Sequence, residues 1–334
     1  MFTALNNFKL VSMLKTLFKL LFSLGIIVWL VSTGKLPLAE LKTLLDPRVI
    51  GWGLVVVALN LIFASERWRY LLKTQGFHVR FVDTLKMTLV GVFFSHLLPG
   101  GVGGDVVKAY YVLQRTDERR GMAVGTVVFD RLIGLFTMVL MAFATSCLEF
   151  EILSKHPALR TFALLLGLLF AAFLAVFWLM WSRRTVKLRE KLLVMTTGIR
   201  VLHSPLHRLN QFQLRKGQFT RVVFLSFISQ CCSLLFFIAT AQLLGFDGIP
   251  LSTFLFCVPM GFMATAIPIS PGGIGVGQAA FFYLFNLVMG VETQVGPLLI
   301  TAFQAFLLFY GLIGAVIYIF LKGKASLPSP AHAE

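Results

Sequence analysis

Leu98-Pro99-Gly100-Gly101-Val102-Gly103-Gly104-Asp105-Val106-Val107-Lys108 returns later in the chain as Ser270-Pro271-Gly272-Gly273-Ile274-Gly275-Val276-Gly277-Gln278. The two stretches agree at Pro, Gly, Gly, a β-branched residue and Gly. Each is embedded in strongly apolar sequence, where proline and glycine break a helix and leave backbone groups that hydrocarbon cannot satisfy. Broken backbone at membrane depth is tolerated only where protein or a wet cavity surrounds it. Two such breaks at corresponding places in two halves point to a transporter's binding site.

The rest of the chain fits that setting. Of 334 residues 57% are hydrophobic and 13% charged, with a mean hydropathy of +0.85, which excludes a soluble domain and predicts a polytopic membrane protein. The net charge of +16 then belongs to cytoplasmic loops rather than to a nucleic-acid surface. Cys147, Cys231, Cys232 and Cys257 lie in or beside apolar segments without C-x-x-C spacing, so they predict packing rather than disulfides or zinc.

Charge placement orders the spans. Lys9, Lys15 and Lys19 put the N-terminus in the cytoplasm before a first span at 14–32. A second span at about 49–65 lands on Glu66-Arg67-Trp68-Arg69, read as a cytoplasmic exit. The apolar run from Asp83 to Leu98 meets the first glycine motif, and only about ten residues separate that motif from Arg115. Ten helical residues cover ~15 Å, half of a ~30 Å core, so a re-entrant hairpin with its tip near mid-membrane is expected.

A third span at about 122–147 carries Asp130-Arg131, and a fourth at about 161–181 leads into residues 183–221 with ten Lys/Arg against Glu190 alone. A fifth span at about 222–244 precedes a second broken region with Pro259, Pro268 and Pro271, compatible with a hairpin from outside or with two full spans. The last span, about 297–321, ends in the cytoplasm, and 322–334 is expected to be a disordered tail.

The expected fold is an all-α polytopic integral membrane protein, with about six ordinary spans plus two re-entrant helical hairpins forming an inverted repeat. Pro99 lies 50 residues after Val49, and Pro271 lies 49 after Val222. The repeat units are then about 49–147 and 222–321, with opposite orientation in the membrane.

The candidate substrate-binding residues are Gly100, Gly101, Gly103, Gly104, Asp105, Lys108, Asp130, Arg131, Gly272, Gly273, Gly275 and Gln278. Glycine turns that open half-helices present N–H groups and partial positive charge to anions. The first motif is not a P-loop, since no Lys followed by Ser or Thr comes after its glycines. Asp105 is open to two roles, a helix N-cap or an acid working in a polar cavity. Lys108 can pair with it, snorkel to the interface or reach a lipid phosphate. Asp130 and Arg131 point about 100° apart on their helix, toward structural pairing or headgroup contact. Gln278, with Gln230, Gln242 and Gln304, suits interhelical hydrogen bonding. His96 stands one turn before the first tip, and Pro205 between His203 and His207 argues against a metal site there. No catalytic, metal or cofactor motif such as H-E-x-x-H or G-x-S-x-G is present.

At these two glycine motifs and at Asp130-Arg131-Leu132-Ile133-Gly134 the chain resembles the lysylphosphatidylglycerol synthase transmembrane family, also called flippase-like domains. The resemblance runs nearly from end to end and implies a single flippase-like domain over 1–321 in the cell membrane. In multi-domain members this region precedes an aminoacyl-transferase domain and moves the modified phospholipid between leaflets. The implication here is translocation without synthesis. The family commonly has Arg-Glu where this chain has Gly277-Gln278.

The function expected is non-enzymatic: movement of an anionic phospholipid or polyprenyl-phosphate-linked lipid between leaflets, with no nucleic acid and no cofactor involved. Two alternatives are a membrane-embedded transferase and a non-catalytic partner of a separate lipid-modifying enzyme. The charge map predicts that single cysteines in 183–221 label from the cytoplasmic side, and those in 148–158, 245–251 and 290–295 from outside. External labelling at position 200 would overturn it.

Overall fold

The computed structural model describes residues 25, 28, 31, 32, 40–97, 103–114, 120–148, 157–181, 214–267 and 269–323. The expected first span therefore lies largely outside the described residues, as do 183–213 of the basic loop and 324–334 of the tail. After a 3-10 turn at Glu40–Leu45 come α1 (Pro47–Thr74), α2 (Phe81–Leu97), α3 (Gly103–Leu113), α4 (Arg120–Leu148) and α5 (Pro157–Trp181). Then follow α6 (Lys216–Leu243), α7 (Leu251–Thr265), α8 (Val276–Met289) and α9 (Val295–Gly323). Five of these, α1, α4, α5, α6 and α9, are long and apolar enough to cross a membrane. The protein is a multi-pass, all-helical membrane protein among its described residues.

Charge misplaces three helix ends. α1 does not stop at Ser65 but runs nine residues further, through Glu66-Arg67-Trp68-Arg69 to Thr74. The buried face of Val49, Val56, Val57 and Leu61 continues through Arg67, Trp68, Leu71 and Leu72, so packing carries the helix past the charges. It begins at Pro47, with Asp46 capping Arg48 N–H at 2.8 Å. α6 starts at Lys216 rather than Val222, where the Gln218 side chain accepts from Arg215 N–H at 2.9 Å. α9 extends to Gly323, into the expected tail.

The second broken region also differs in detail. α7 passes through Pro259 without ending, and the break comes only after Thr265. α7 and α8 have 15 and 14 residues, so at ~1.5 Å per residue neither reaches ~30 Å.

The packing has a regular plan. α1 lies on α6; α2 packs on α9 as α7 packs on α4; α2 pairs with α3 as α7 pairs with α8; α3 touches α4 as α8 touches α9. Exchanging α1–α4 for α6–α9 leaves this set of neighbours unchanged. At the α1–α6 contact the Asn60 amide donates to Ser229 O at 2.8 Å and to Ser233 Oγ at 2.8 Å. Close approach elsewhere depends on glycine. A Cβ at Gly314 of α9 would overlap the Leu89 carbonyl of α2, and one at Gly104 of α3 would stand 2.6 Å from the Gly91 carbonyl of α2.

Gly314→Leu should therefore force α2 off α9. Overpacking of this kind costs about 1–3 kcal/mol or more, whereas Gly51→Leu, at a position with open space beside it, should be tolerated. Thermal unfolding of the two variants in detergent measures the difference, and equal midpoints would contradict the close-approach reading.

Candidate functional site

The sequence-predicted residues fall into two groups. The first is ionic and is built by α1, α3 and α4. Arg67 Nε donates to Asp130 Oδ1 at 2.7 Å, and Arg67 Nη1 to Ser226 Oγ of α6 at 2.7 Å. Ser226 Oγ lies 2.8 Å from Thr137 Oγ1, whose hydroxyl is also close to the Gly134 carbonyl at 2.9 Å. Gly134 leaves room beside it, since its Cβ would stand 3.6 Å from Arg67 Nη1. The guanidinium thus lies across α4 at Gly134.

Lys108 completes the group from α3. Its Nζ is 3.7 Å from Asp130 Oδ2 and 5.0 Å from the Trp68 ring centroid, so carboxylate and aromatic face share the ammonium. Trp68 is held in turn by its Nε1–H donating to Thr126 Oγ1 at 3.3 Å. Arg67, Lys108 and Asp130 side chains are only 10%, 13% and 8% exposed. A second pair, Arg131 Nε to Asp105 Oδ2 at 2.9 Å, ties the first turn of α3 to α4 and is more open, at 38% and 28%. Asp105 therefore pairs with Arg131, and Asp130 with Arg67 and Lys108. The two adjacent residues of α4 serve different partners, as their angular separation requires.

Counting these groups gives three cations and two carboxylates. Charges removed from water persist only when paired or hydrogen-bonded, and here α1, α3, α4 and α6 all contribute to that pairing.

The second group is neutral and lies where the two glycine motifs meet. Gly103 and Gly104 open α3 and are buried, whereas Gly100 and Gly101 lie outside the described residues. Ser95 joins the motifs: its Oγ accepts from Gly104 N–H at 3.2 Å and its carbonyl from Gly272 N–H at 3.0 Å. Gly272, Gly273 and Gly275 all have positive φ, at 57°, 73° and 84°, and a Cβ at Gly272 would stand 2.9 Å from His96 Cδ2.

The N–H groups of this second turn already have acceptors. Gly273 N–H donates to Ser270 O at 3.4 Å and Gly275 N–H to Gln278 Oε1 at 2.7 Å. Gln278 Nε2 donates to Gln304 Oε1 at 2.7 Å and Gln304 Nε2 to the Gly272 carbonyl at 3.3 Å, closing a ring between α8, α9 and the turn. An anion would reach these N–H groups only by displacing their partners. Two buried polar atoms beside the junction, His96 Nε2 and Ser270 Oγ, have no hydrogen-bond partner among the described residues. His96 Nδ1–H donates to Val92 O at 2.9 Å.

Arg67, Ser95 and Ser226 are absent from the sequence-predicted set. Arg67 is legible only through the face it occupies, four positions before Leu71 on the buried stripe of α1. Ser95 and Ser226 carry no local signal. Among the described residues there is no cluster of His, Cys, Asp and Glu able to hold a metal.

The comparisons agree with this architecture. A UPF0104 membrane protein of Methanocaldococcus jannaschii is 24% identical over 203 residues, covering 59% of this chain and 80% of the relative. A second one from that organism is 26% identical over 89 residues, 26% of each chain. One from Pyrococcus horikoshii is 26% identical over 96 residues, 28% of this chain and 29% of the relative. The matches to these last two thus span less than a third of the relatives' own lengths. No solved structure matches the chain. The family described as the lysylphosphatidylglycerol synthase TM region matches residues 16–314, and the chain belongs to that family.

Proposed function

We propose that the protein is a lipid translocator that carries a phosphate-bearing headgroup between leaflets while the tails stay in the bilayer. The observation that carries this reading is the gathering of Arg67, Lys108 and Arg131 with Asp105 and Asp130 between α1, α3 and α4. A phosphodiester crossing a ~30 Å apolar core must exchange its water for charge, and an uncompensated ion there costs several kcal/mol. The family supports a lipid-related membrane role.

In this reading α1–α4 and α6–α9 are an inverted repeat in the cell membrane, with both termini cytoplasmic. α2–α3 and α7–α8 are its re-entrant hairpins. The exchangeable pattern of neighbours and the short α7 and α8 support it. The headgroup passes between the hairpins near Ser95. The protein itself makes and breaks no covalent bond.

The cations have separate duties. Arg67 is fixed by Asp130 and Ser226 and holds α1, α4 and α6 together, whereas Lys108 and Arg131 supply charge to the headgroup. Arg67→Ala should then fail at folding, by about 3–5 kcal/mol, because it strips a buried carboxylate of its nearer partner. Lys108→Ala with Arg131→Ala should fold, yet slow transfer of a fluorescent anionic lipid in proteoliposomes about tenfold or more, ~1.4 kcal/mol of barrier. Wild-type transfer rates in that folded double variant would refute the proposal.

A further inference from the structure

Asn60 and Ser233, hydrogen-bonded across α1 and α6, are 173 positions apart. The same interval separates the first residues of α3 and α8, Gly103 and Val276, one more than the 172 of the Pro-Gly-Gly match, and it carries Asp105 to Gln278 and Arg131 to Gln304. Both pairs do the same mechanical work. Asp105–Arg131 ties the first turn of α3 to α4, and Gln278–Gln304 ties the first turn of α8 to α9. One latch is an ion pair, the other a pair of amides.

The deeper positions diverge further. At this interval Lys108 becomes Phe281, Asp130 becomes Phe303 and Arg67 becomes Thr240. Phe281 and Phe303 are buried and both pack on Phe237 and Phe262, with ring centroids 5.2 to 5.9 Å apart. Where the first half holds its ions, the second has an aromatic core. The amide latch is nearly sealed, Gln278 at 3% and Gln304 at 7% exposed, whereas the ionic latch is open at 28% and 38%.

Holding a short helix on a long one therefore needs no charge in this fold. The ions of the first latch add something that the amides lack, which is a response to a charged ligand. Arginine's planar fork binds carboxylate and phosphate alike, so a phosphodiester can replace Asp105 on Arg131 bond for bond. Lys108, one turn along α3, remains beside the freed carboxylate. A ligand shifts a conformational equilibrium only by its differential affinity for the two states. A phosphodiester in Asp105's place on Arg131 Nε excludes the closed latch, and this supplies the difference.

We infer that Asp105–Arg131 is a charge-exchange gate: an anionic phosphodiester headgroup takes Arg131 from Asp105 and frees the first turn of α3 from α4, the next turn staying tied through Lys108–Asp130, while Gln278–Gln304 holds α8 on α9 whatever the lipid charge. The inference rests on the translocator reading and identifies the one half that senses the headgroup.

Spin-label distances test it in the full chain, with the native cysteines replaced, in nanodiscs of phosphatidylcholine alone or with phosphatidylglycerol. One labelled pair, Val106→Cys with Val128→Cys, uses exposed sites on the first turn of α3 and on α4, and the other, Tyr283→Cys with Leu308→Cys, uses exposed sites on α8 and α9. The α3–α4 pair should gain a longer-distance population when phosphatidylglycerol is present. The α8–α9 pair should not change. Asp105→Gln with Arg131→Gln, which installs the amide latch in the first half, should hold α3 on α4 in both bilayers. An α3–α4 distance indifferent to lipid charge, an equal response at α8–α9, or a wild-type response in the amide-latched variant would each overturn the gate. Transfer measured on the same samples separates the two claims: transfer without a gate response removes the gate alone, and a gate response without transfer removes the translocator reading.

Discussion

A guanidinium and a carboxylate taken out of water together constrain everything around them. Arg67 and Asp130 come from helices 63 residues apart in sequence, and neither tolerates hydrocarbon alone. Their meeting sets how α1 and α4 face each other. Through Ser226 the same guanidinium fixes α6, and through Asp130 the same carboxylate holds Lys108 of α3. Trp68 is placed to cover the ammonium because it follows Arg67 on α1.

The glycine junction obeys the related rule that backbone groups must be satisfied inside the protein. The positive φ of Gly272, Gly273 and Gly275 allows a turn that aims its N–H groups at Ser95, Ser270 and Gln278. A side chain at these positions would be strained by the backbone, and at Gly272 and Gly273 it would also meet His96 and Thr265. Gln278 matters here as an acceptor at the head of α8. A carboxylate could accept the same bond, but it would need a cation where Gln304 now stands.

How much of this is legible in sequence depends on the range of the signal. The long helices are, because hydropathy over a span is a local sum. The recurrence of the glycine motif is legible too, because proline and glycine mark a break wherever they occur in apolar sequence. Helix ends are less so: a run such as Glu66-Arg67-Trp68-Arg69 looks like an exit to water, yet Arg67 turns inward while Glu66 and Arg69 pair along the helix at 2.6 Å. Asp105, Lys108, Asp130 and Arg131 are recognisable as costly charges, but their pairing is not, since Asp105 and Lys108 are near neighbours whose partners sit on another helix. Ser95 and Ser226 gain their roles only from the close approach of α2 to the second turn and of α1 to α6.

The packing of α2 against α9 bears on how the chain is made. α2 leaves the ribosome some 200 residues before its partner, ~10 to 40 s at ordinary rates of synthesis, so the flank around Leu89 and Phe93 that Gly314 and Gly311 of α9 will approach waits in the bilayer without that helix. The ions do not wait in the same way: Arg67, Asp105, Lys108, Asp130 and Arg131 all precede α5 and can neutralise one another as soon as α4 is inserted. The nascent first half thus settles its charges early and its shape late. Membrane quality control would meet it as a charge-paired but unclasped intermediate.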